Sequence, residues 1–212
     1  MTLPATLLAG LALIGAVLTI VADRMKRWGQ VYVLKPLTLL LIIGLAALGR
    51  PSAPPGYKYF VLGGLSLSLA GDAFMMLRRK RFELGLAAFL LAHLCYIAAF
   101  RTGMLPRFAL QPLLPLVIFA ALLLRVLLPY LGKMKYPVLL YVMVITAMAA
   151  LAAGRYIQFG GAKPLCAFAG AALFLASDAV LAYDRFAKPI PRAQVIILGT
   201  YFAAQTLIAL SV

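Results

Sequence analysis

The chain has 212 residues, of which 65% are hydrophobic and only 12% charged, and its mean hydropathy is +1.04. Soluble domains carry about 45–50% apolar and about a quarter charged residues, so this composition excludes a soluble fold and requires lipid to cover the surplus apolar surface. The charge is lopsided, with 20 Lys and Arg against five acids for a net +15. The basic residues sit almost entirely in short gaps between apolar runs, which is the signature of membrane topology and not of nucleic-acid binding.

A bilayer core takes roughly 17–25 apolar residues per helix. Eight windows meet that length: 3–22, 31–48, 59–77, 84–101, 110–128, 138–154, 163–183 and 193–212. The first has no basic segment before it, and Arg24, Lys26 and Arg27 follow it, which predicts a first transmembrane helix instead of a cleaved signal peptide. Pro51, Pro54, Pro55 and Gly56, then Arg78-Arg79-Lys80-Arg81, then Pro106, then Pro129 and Gly132 supply the breaks between windows. No break is long enough for a soluble domain, so residues 1–212 form one membrane domain. Cys95 and Cys166 lie inside apolar runs without a CxxC or His/Cys spacing; they read as small buried hydrophobes.

Counting cations by loop sets an orientation. The breaks after windows 1, 3, 5 and 7, with Arg125, hold thirteen Lys and Arg, and the breaks after windows 2, 4 and 6 hold six. The positive-inside rule then puts the odd-numbered breaks in the cytoplasm and both termini outside. An internal repeat is also visible. Leu69-Ala70-Gly71-Asp72-Ala73 matches Leu175-Ala176-Ser177-Asp178-Ala179 at an offset of 106, and Lys35-Pro36-Leu37 matches Tyr136-Pro137-Val138 at 101. The expected architecture is all-α, eight transmembrane helices in a tandem 4+4 parallel repeat, with half-repeats 1–105 and 106–212.

With five acids in the chain, each can be weighed. Asp23 and Glu83 fall in basic breaks and balance local charge. Asp184, beside Arg185 at the cytoplasmic end of window 7, reads as an interfacial residue in preference to a catalytic one. Asp72 and Asp178 are different: each sits five or six residues inside the cytoplasmic end of its window, about 8 Å deep at 1.5 Å per residue. A carboxyl group at such a depth is costly and faces a cavity or a partner. The bland alternative is a structural polar pair that glues helices together. Lys35 and Tyr141 enter windows 2 and 6 near the same depth, though Lys35 could simply snorkel to the headgroups. His93 and Tyr96 share one face of window 4 at i, i+3, and Tyr201 and Gln205 share one face of window 8 at i, i+4. His93 is the only histidine, which excludes a multi-histidine zinc centre; a metal held by two Asp and one His is the weaker alternative, and no metal is expected.

Taken together and in order, Lys35-Pro36-Leu37-Thr38, Gly71-Asp72, the segment 89–96 around His93, Tyr141, Ser177-Asp178, Asp184-Arg185-Phe186, and Tyr201 with Gln205 resemble the YhhN family of bacterial membrane proteins, which includes the animal transmembrane lysoplasmalogenases. The resemblance runs over nearly the whole chain. It implies a multi-pass protein of the bacterial inner membrane that hydrolyses the vinyl ether bond of lysoplasmalogens, releasing a fatty aldehyde and a glycerophospho-base. It implies membrane lipids and a lysophospholipid-type substrate as partners, no cofactor and no nucleic acid, and it is silent on oligomeric state.

That chemistry suits the residues. Vinyl ether cleavage starts with protonation of an alkene carbon and needs both a carboxylic acid that keeps its proton and a carboxylate to support the cation or activate water; glycosidases divide comparable work between two carboxyl groups. Burial beside a second carboxylate favours the protonated form of one member of such a pair. Asp72 and Asp178 are therefore the expected catalytic pair, with acid and base unassigned between them. Lys35, His93, Tyr96, Tyr141, Tyr201 and Gln205 are the expected substrate-binding residues, Lys35 near the phosphate and the others orienting water and the ether oxygen, with the site toward the cytoplasmic leaflet. The rival reading is a proton-coupled secondary transporter of a small or lipid-like substrate, which also uses repeats and mid-helix acids. A lipid-binding scaffold with structural polar residues is the third.

Overall fold

The computed structural model describes residues 3–50, 54, 56–76, 82–105, 107 and 111–212. Among them, eight helices are long and apolar enough to cross a membrane: α1 (Leu3–Arg24), α2 (Trp28–Leu48), α3 (Tyr57–Met76), α4 (Phe82–Arg101), α5 (Leu113–Leu127), α6 (Lys135–Phe159), α7 (Ala162–Ala182) and α8 (Ala193–Leu210). The chain is a multi-pass, all-helical membrane protein. Helix is the form that satisfies every backbone N–H and C=O within one segment, which hydrocarbon demands. Pro51, Pro55, Pro106 and the basic run at 78–81 lie outside the described residues.

The expected windows and the helices agree to within a few residues at most ends, and the departures have local causes. Helix α6 starts at Lys135 and runs to Phe159, longer than the window 138–154. Pro137 is thus in its first turn, where a missing N–H costs nothing, and does not precede the helix. Pro36 instead lies inside α2, where it removes the bond to the carbonyl four residues back. The two prolines are not in equivalent places. Beyond Ala182 the chain continues as a π-helical turn, Tyr183–Ala187, closed by the Lys188 N–H on the Tyr183 carbonyl at 3.1 Å.

Six helices close into a ring. Around it, α2 packs on α3, α3 on α4, α4 on α6, α6 on α7, α7 on α8, and α8 back on α2. Helix α1 braces the outside against α2 and α8, and α5 braces α6 and the π-helical turn. The outer positions show large apolar side chains to lipid, as at Leu11, Leu13, Ile14 and Val17 of α1, while Ala5, Ala12, Ala16 and Thr19 face inward. Small residues allow close approach of backbones where hydrocarbon gives no hydrophobic drive for helices to associate. The interior core is aromatic, with Tyr57, Tyr96, Phe100 and Phe174 completely buried.

Gly64 shows how tight the ring is. Helix α3 lies so close to α4 there that a Cβ would overlap the buried Tyr96 ring. At Gly10 on α1 nothing lies within 4 Å of such a Cβ. Gly64→Ala should therefore cost about 1–3 kcal/mol through overpacking and lower the unfolding midpoint in detergent, whereas Gly10→Ala should leave that midpoint unchanged.

Candidate active site

Each helix of the ring contributes a polar side chain at the same end of the bundle. Asp72 lies four residues before Met76, the last residue of α3 described, and Asp178 four residues before the end of α7. Lys35 and Tyr141 sit within the first two or three turns of α2 and α6, which run the other way. Helices α4 and α8 supply His93 with Tyr96 and Tyr201 with Gln205. The alternation of helix directions brings residues from six separate spans to one level.

Two carboxylate clusters result. Asp72 is almost wholly buried, and both of its oxygens are occupied: Lys35 Nζ stands 2.7 Å from Oδ1, and the Tyr201 hydroxyl donates to Oδ2 at 2.8 Å. The Lys35 ammonium also lies 5.5 Å from the centre of the Tyr201 ring, a favourable cation–π placement. Asp178 is more open, with 15% of its side chain exposed. The Tyr141 hydroxyl donates to its Oδ2 at 2.5 Å. His93 Nε2 lies 2.9 Å from that hydroxyl and 3.5 Å from the same Oδ2. Because Tyr141 spends its proton on Asp178, its oxygen accepts from His93, which fixes the imidazole proton on Nε2 by the logic of the network. Asp178 Oδ1 has no hydrogen-bond donor among the described residues.

Both aspartates line one cavity of about 680 Å³, within the range of small-molecule sites. Lys35, Tyr141, Ser177 and Tyr201 add to its polar lining; Leu86, Phe89, Val142, Ile145, Leu175 and Leu198 are apolar lining; Asp23, Trp28, Tyr32, Asp184, Arg185 and Phe186 line it toward the helix ends.

His93, Tyr96 and Gln205 are completely buried and are not among the lining residues. They form a row behind the wall: the Tyr96 hydroxyl donates to Gln205 Oε1 at 2.7 Å, and His93 reaches the cavity through Tyr141. His93 Nδ1 and Gln205 Nε2 are buried without a hydrogen-bond partner. Phe174 cements the row, its ring centre 4.7 Å from that of His93 and 5.6 Å from that of Tyr201. Among the described residues no three His, Cys, Asp or Glu side chains stand together as a metal cage, and both cysteines are free.

Asp23 and Asp184, not among the site residues expected from the sequence, both line the cavity. Asp184 Oδ1 accepts the Ile190 N–H at 2.8 Å and so shapes the strand of chain leading from the π-helical turn to α8. The signal for them was available: with five acids in so cationic a chain, an acid in a basic break is unusual. The aromatic and apolar walls carry no such signal, because Phe89 or Leu175 reads like any other lipid-span residue.

Comparison with known proteins gives the relatives. The model of the YhhN family matches residues 30–212, the stretch from α2 to α8 that holds the ring. Human lysoplasmalogenase TMEM86B is 40% identical over 183 residues, covering 84% of this chain and 73% of that protein. Bovine lysoplasmalogenase TMEM86A is 37% identical over 163 residues, 74% of this chain and 66% of that protein. The membrane protein YhhN of Escherichia coli O157:H7 is 34% identical over 184 residues, 86% of each chain. No solved structure matches. The family resemblance expected from the residues around Lys35, Asp72, His93, Tyr141, Asp178 and Tyr201 holds, and the chain belongs to the YhhN family.

Proposed function

We propose that this protein is a lysoplasmalogenase-like hydrolase that cleaves the vinyl ether bond of lysoplasmalogens from the cavity between α3 and α7. Support comes from relatives named lysoplasmalogenase, human at 40% and bovine at 37% identity, which cover 84% and 74% of this chain. The observation that carries the mechanism is the asymmetry of the two aspartates. Asp72 has an acceptor's environment at both oxygens, an ammonium and a hydroxyl donor, whereas Asp178 keeps Oδ1 free beside the cavity. An acceptor-only carboxyl is a carboxylate; a carboxyl with one oxygen free can hold and deliver a proton.

In this reading Asp178 is the general acid. Its proton goes to the outer alkene carbon, the alkene electron pair forms the new C–H bond, and positive charge spreads over the ether oxygen and the adjacent carbon. Water adds to that carbon and returns a proton to Asp178. The hemiacetal then passes its hydroxyl proton to the ether oxygen, the C–O bond breaks, and a fatty aldehyde and a glycerophospho-base leave. Asp72 contributes fixed negative charge close to the cation. Tyr141, backed by His93, positions Asp178; Tyr201, packed against the Tyr96 and Gln205 row, positions Asp72; Lys35 holds Asp72 and turns its remaining N–H groups toward the substrate phosphate. The reaction consumes only water, so it calls for no cofactor. Transport is the weaker reading, since the named relatives are enzymes.

We further read the molecule as a protein of the bacterial inner membrane with the cavity toward the cytoplasmic leaflet and a 4+4 repeat at its root. Lys35 and Tyr141 are 106 positions apart, as are Asp72 and Asp178, and each of the first two binds the aspartate of its own half. In a variant lacking Cys95 and Cys166, a cysteine introduced by Lys133→Cys should react with an impermeant maleimide only after intact cells are opened; labelling in sealed cells would reverse the orientation.

Asp178→Asn and Asp72→Asn should each lower aldehyde release from lysoplasmalogen in detergent by about 100-fold or more while the protein elutes as the same monodisperse species. Wild-type rates in both variants would sink the proposal. Lys35→Met should strand a buried carboxylate and cost about 3–5 kcal/mol. Adding Asp72→Leu should recover most of the lost thermal midpoint without restoring activity, because removing both members of a buried pair is far cheaper than removing one.

A further inference from the structure

The opposite end of the bundle holds a second, smaller cavity of about 220 Å³, lined by Pro54, Arg155, Phe159, Gly160, Lys163, Pro164 and Ser211. Fourteen residues of α6 separate Tyr141 from Arg155, about 21 Å along the helix, so this cavity is remote from the aspartates. It lies where α6 turns into α7 through Gly160 and Gly161, whose φ values of 60° and 79° belong to the left-handed region.

Arg155 is only 6% exposed. Its Nη1 donates to the carbonyls of Phe100 and Thr102 at 3.3 and 2.7 Å, and its guanidinium lies over the rings of Tyr57 and Phe159 at 4.6 and 4.9 Å. The plane of the group is therefore fixed. Nε and Nη2 have no hydrogen-bond acceptor among the described residues. Lys163 Nζ donates to the carbonyl of Arg50 at 2.8 Å and to the backbone oxygen of the final residue, Val212, at 2.7 Å, which leaves its third N–H unassigned. Lys58 is pinned close by, on the carbonyls of Ala47 and Gly49.

Among the described residues, Arg155 and Lys58 have only neutral carbonyls for hydrogen-bond partners. All five acidic side chains, Asp23, Asp72, Glu83, Asp178 and Asp184, belong to the other end of the bundle. The first turn of α7, which borders the cavity, carries no acid either. A buried, aromatic-clamped guanidinium with an unfilled Nε/Nη2 edge, beside a pinned ammonium, is a receptor for a phosphate: guanidinium takes two phosphate oxygens in parallel and ammonium a third. Basic pockets between membrane helices at headgroup level take anionic lipid heads in this way.

We propose that the Arg155–Lys163 cavity binds the phosphate of an anionic phospholipid headgroup in the leaflet opposite the hydrolytic cavity. The ligand is structural and is not a substrate.

The test uses full-length protein in nanodiscs made from equal parts phosphatidylglycerol and phosphatidylcholine, and measures co-purifying lipid by native mass spectrometry after transfer to detergent. Phosphatidylglycerol should be retained about fivefold over phosphatidylcholine, and Arg155→Lys and Lys163→Gln should each abolish that preference. Equal retention of the two lipids by wild type, or an undiminished preference in both variants, overturns the proposal. A second arm follows thermal unfolding of delipidated protein on adding phosphatidylglycerol or inorganic phosphate. A rise in midpoint with the lipid, absent in Arg155→Lys, supports a headgroup. A rise with inorganic phosphate alone overturns the lipid assignment in favour of soluble phosphate, and no rise with either overturns the site.

Discussion

A carboxylate inside a membrane bundle has to be held by partners or it destroys the bundle, and the burial of Asp72 is the constraint around which this molecule is arranged. The Lys35 ammonium and the Tyr201 hydroxyl take both of its oxygens. Those partners come from α2 and α8, the first and last helices of the ring. Bringing them to α3 closes the ring at the same stroke. Desolvating two charges costs several kcal/mol per ion, which a well-bonded pair only roughly offsets. Such a pair is thus poor evidence for stability and better evidence for a site that needs fixed charge.

The rest of the interior follows from that closure. With α2 and α8 in contact and α4 set directly on α6, α5 has no place in the ring and lies outside. The inner faces divide into a polar level and an aromatic level. Asp178 accepts from Tyr141, which is backed by His93; Phe174 then packs both His93 and Tyr201. The two aspartates differ through their neighbours alone: one is saturated with donors and sealed, the other half-bonded and open to the cavity. Difference of environment between like residues is how one site divides acid and base work.

Much of this was legible in the sequence because a membrane writes its demands in one dimension. Span length and hydropathy place eight helices, and an acid among apolar residues marks itself. Lys35, Tyr141 and Tyr201 stand out for the same reason, and the structure sets them on the aspartates. The order of helices around the ring was not legible: lipid-facing and helix-facing positions are both apolar, and hydropathy does not say that α4 meets α6 while α5 is passed over. Depth along a helix is readable, but rotation about its axis is not. For that reason His93, Tyr96 and Gln205, expected at the substrate, stand one layer behind Tyr141 and Tyr201. Asp23 and Asp184 show the converse: charge balance accounted for the one and an interfacial place for the other, and neither reading shows that the ends of α1 and α7 border a cavity.

The wide sequence separation within the Asp72 cluster has a consequence for how the protein is made. Its ammonium partner is on α2, already in the membrane when α3 arrives, but the hydroxyl partner is 129 residues further on, in α8. Through the insertion of α4, α5, α6 and α7 the nascent bundle carries a half-satisfied carboxylate, and the strand of helices is an open crescent. Closure therefore waits on α8: once it is in place, Tyr201 caps Asp72, α8 packs against α2, and the crescent becomes a chamber.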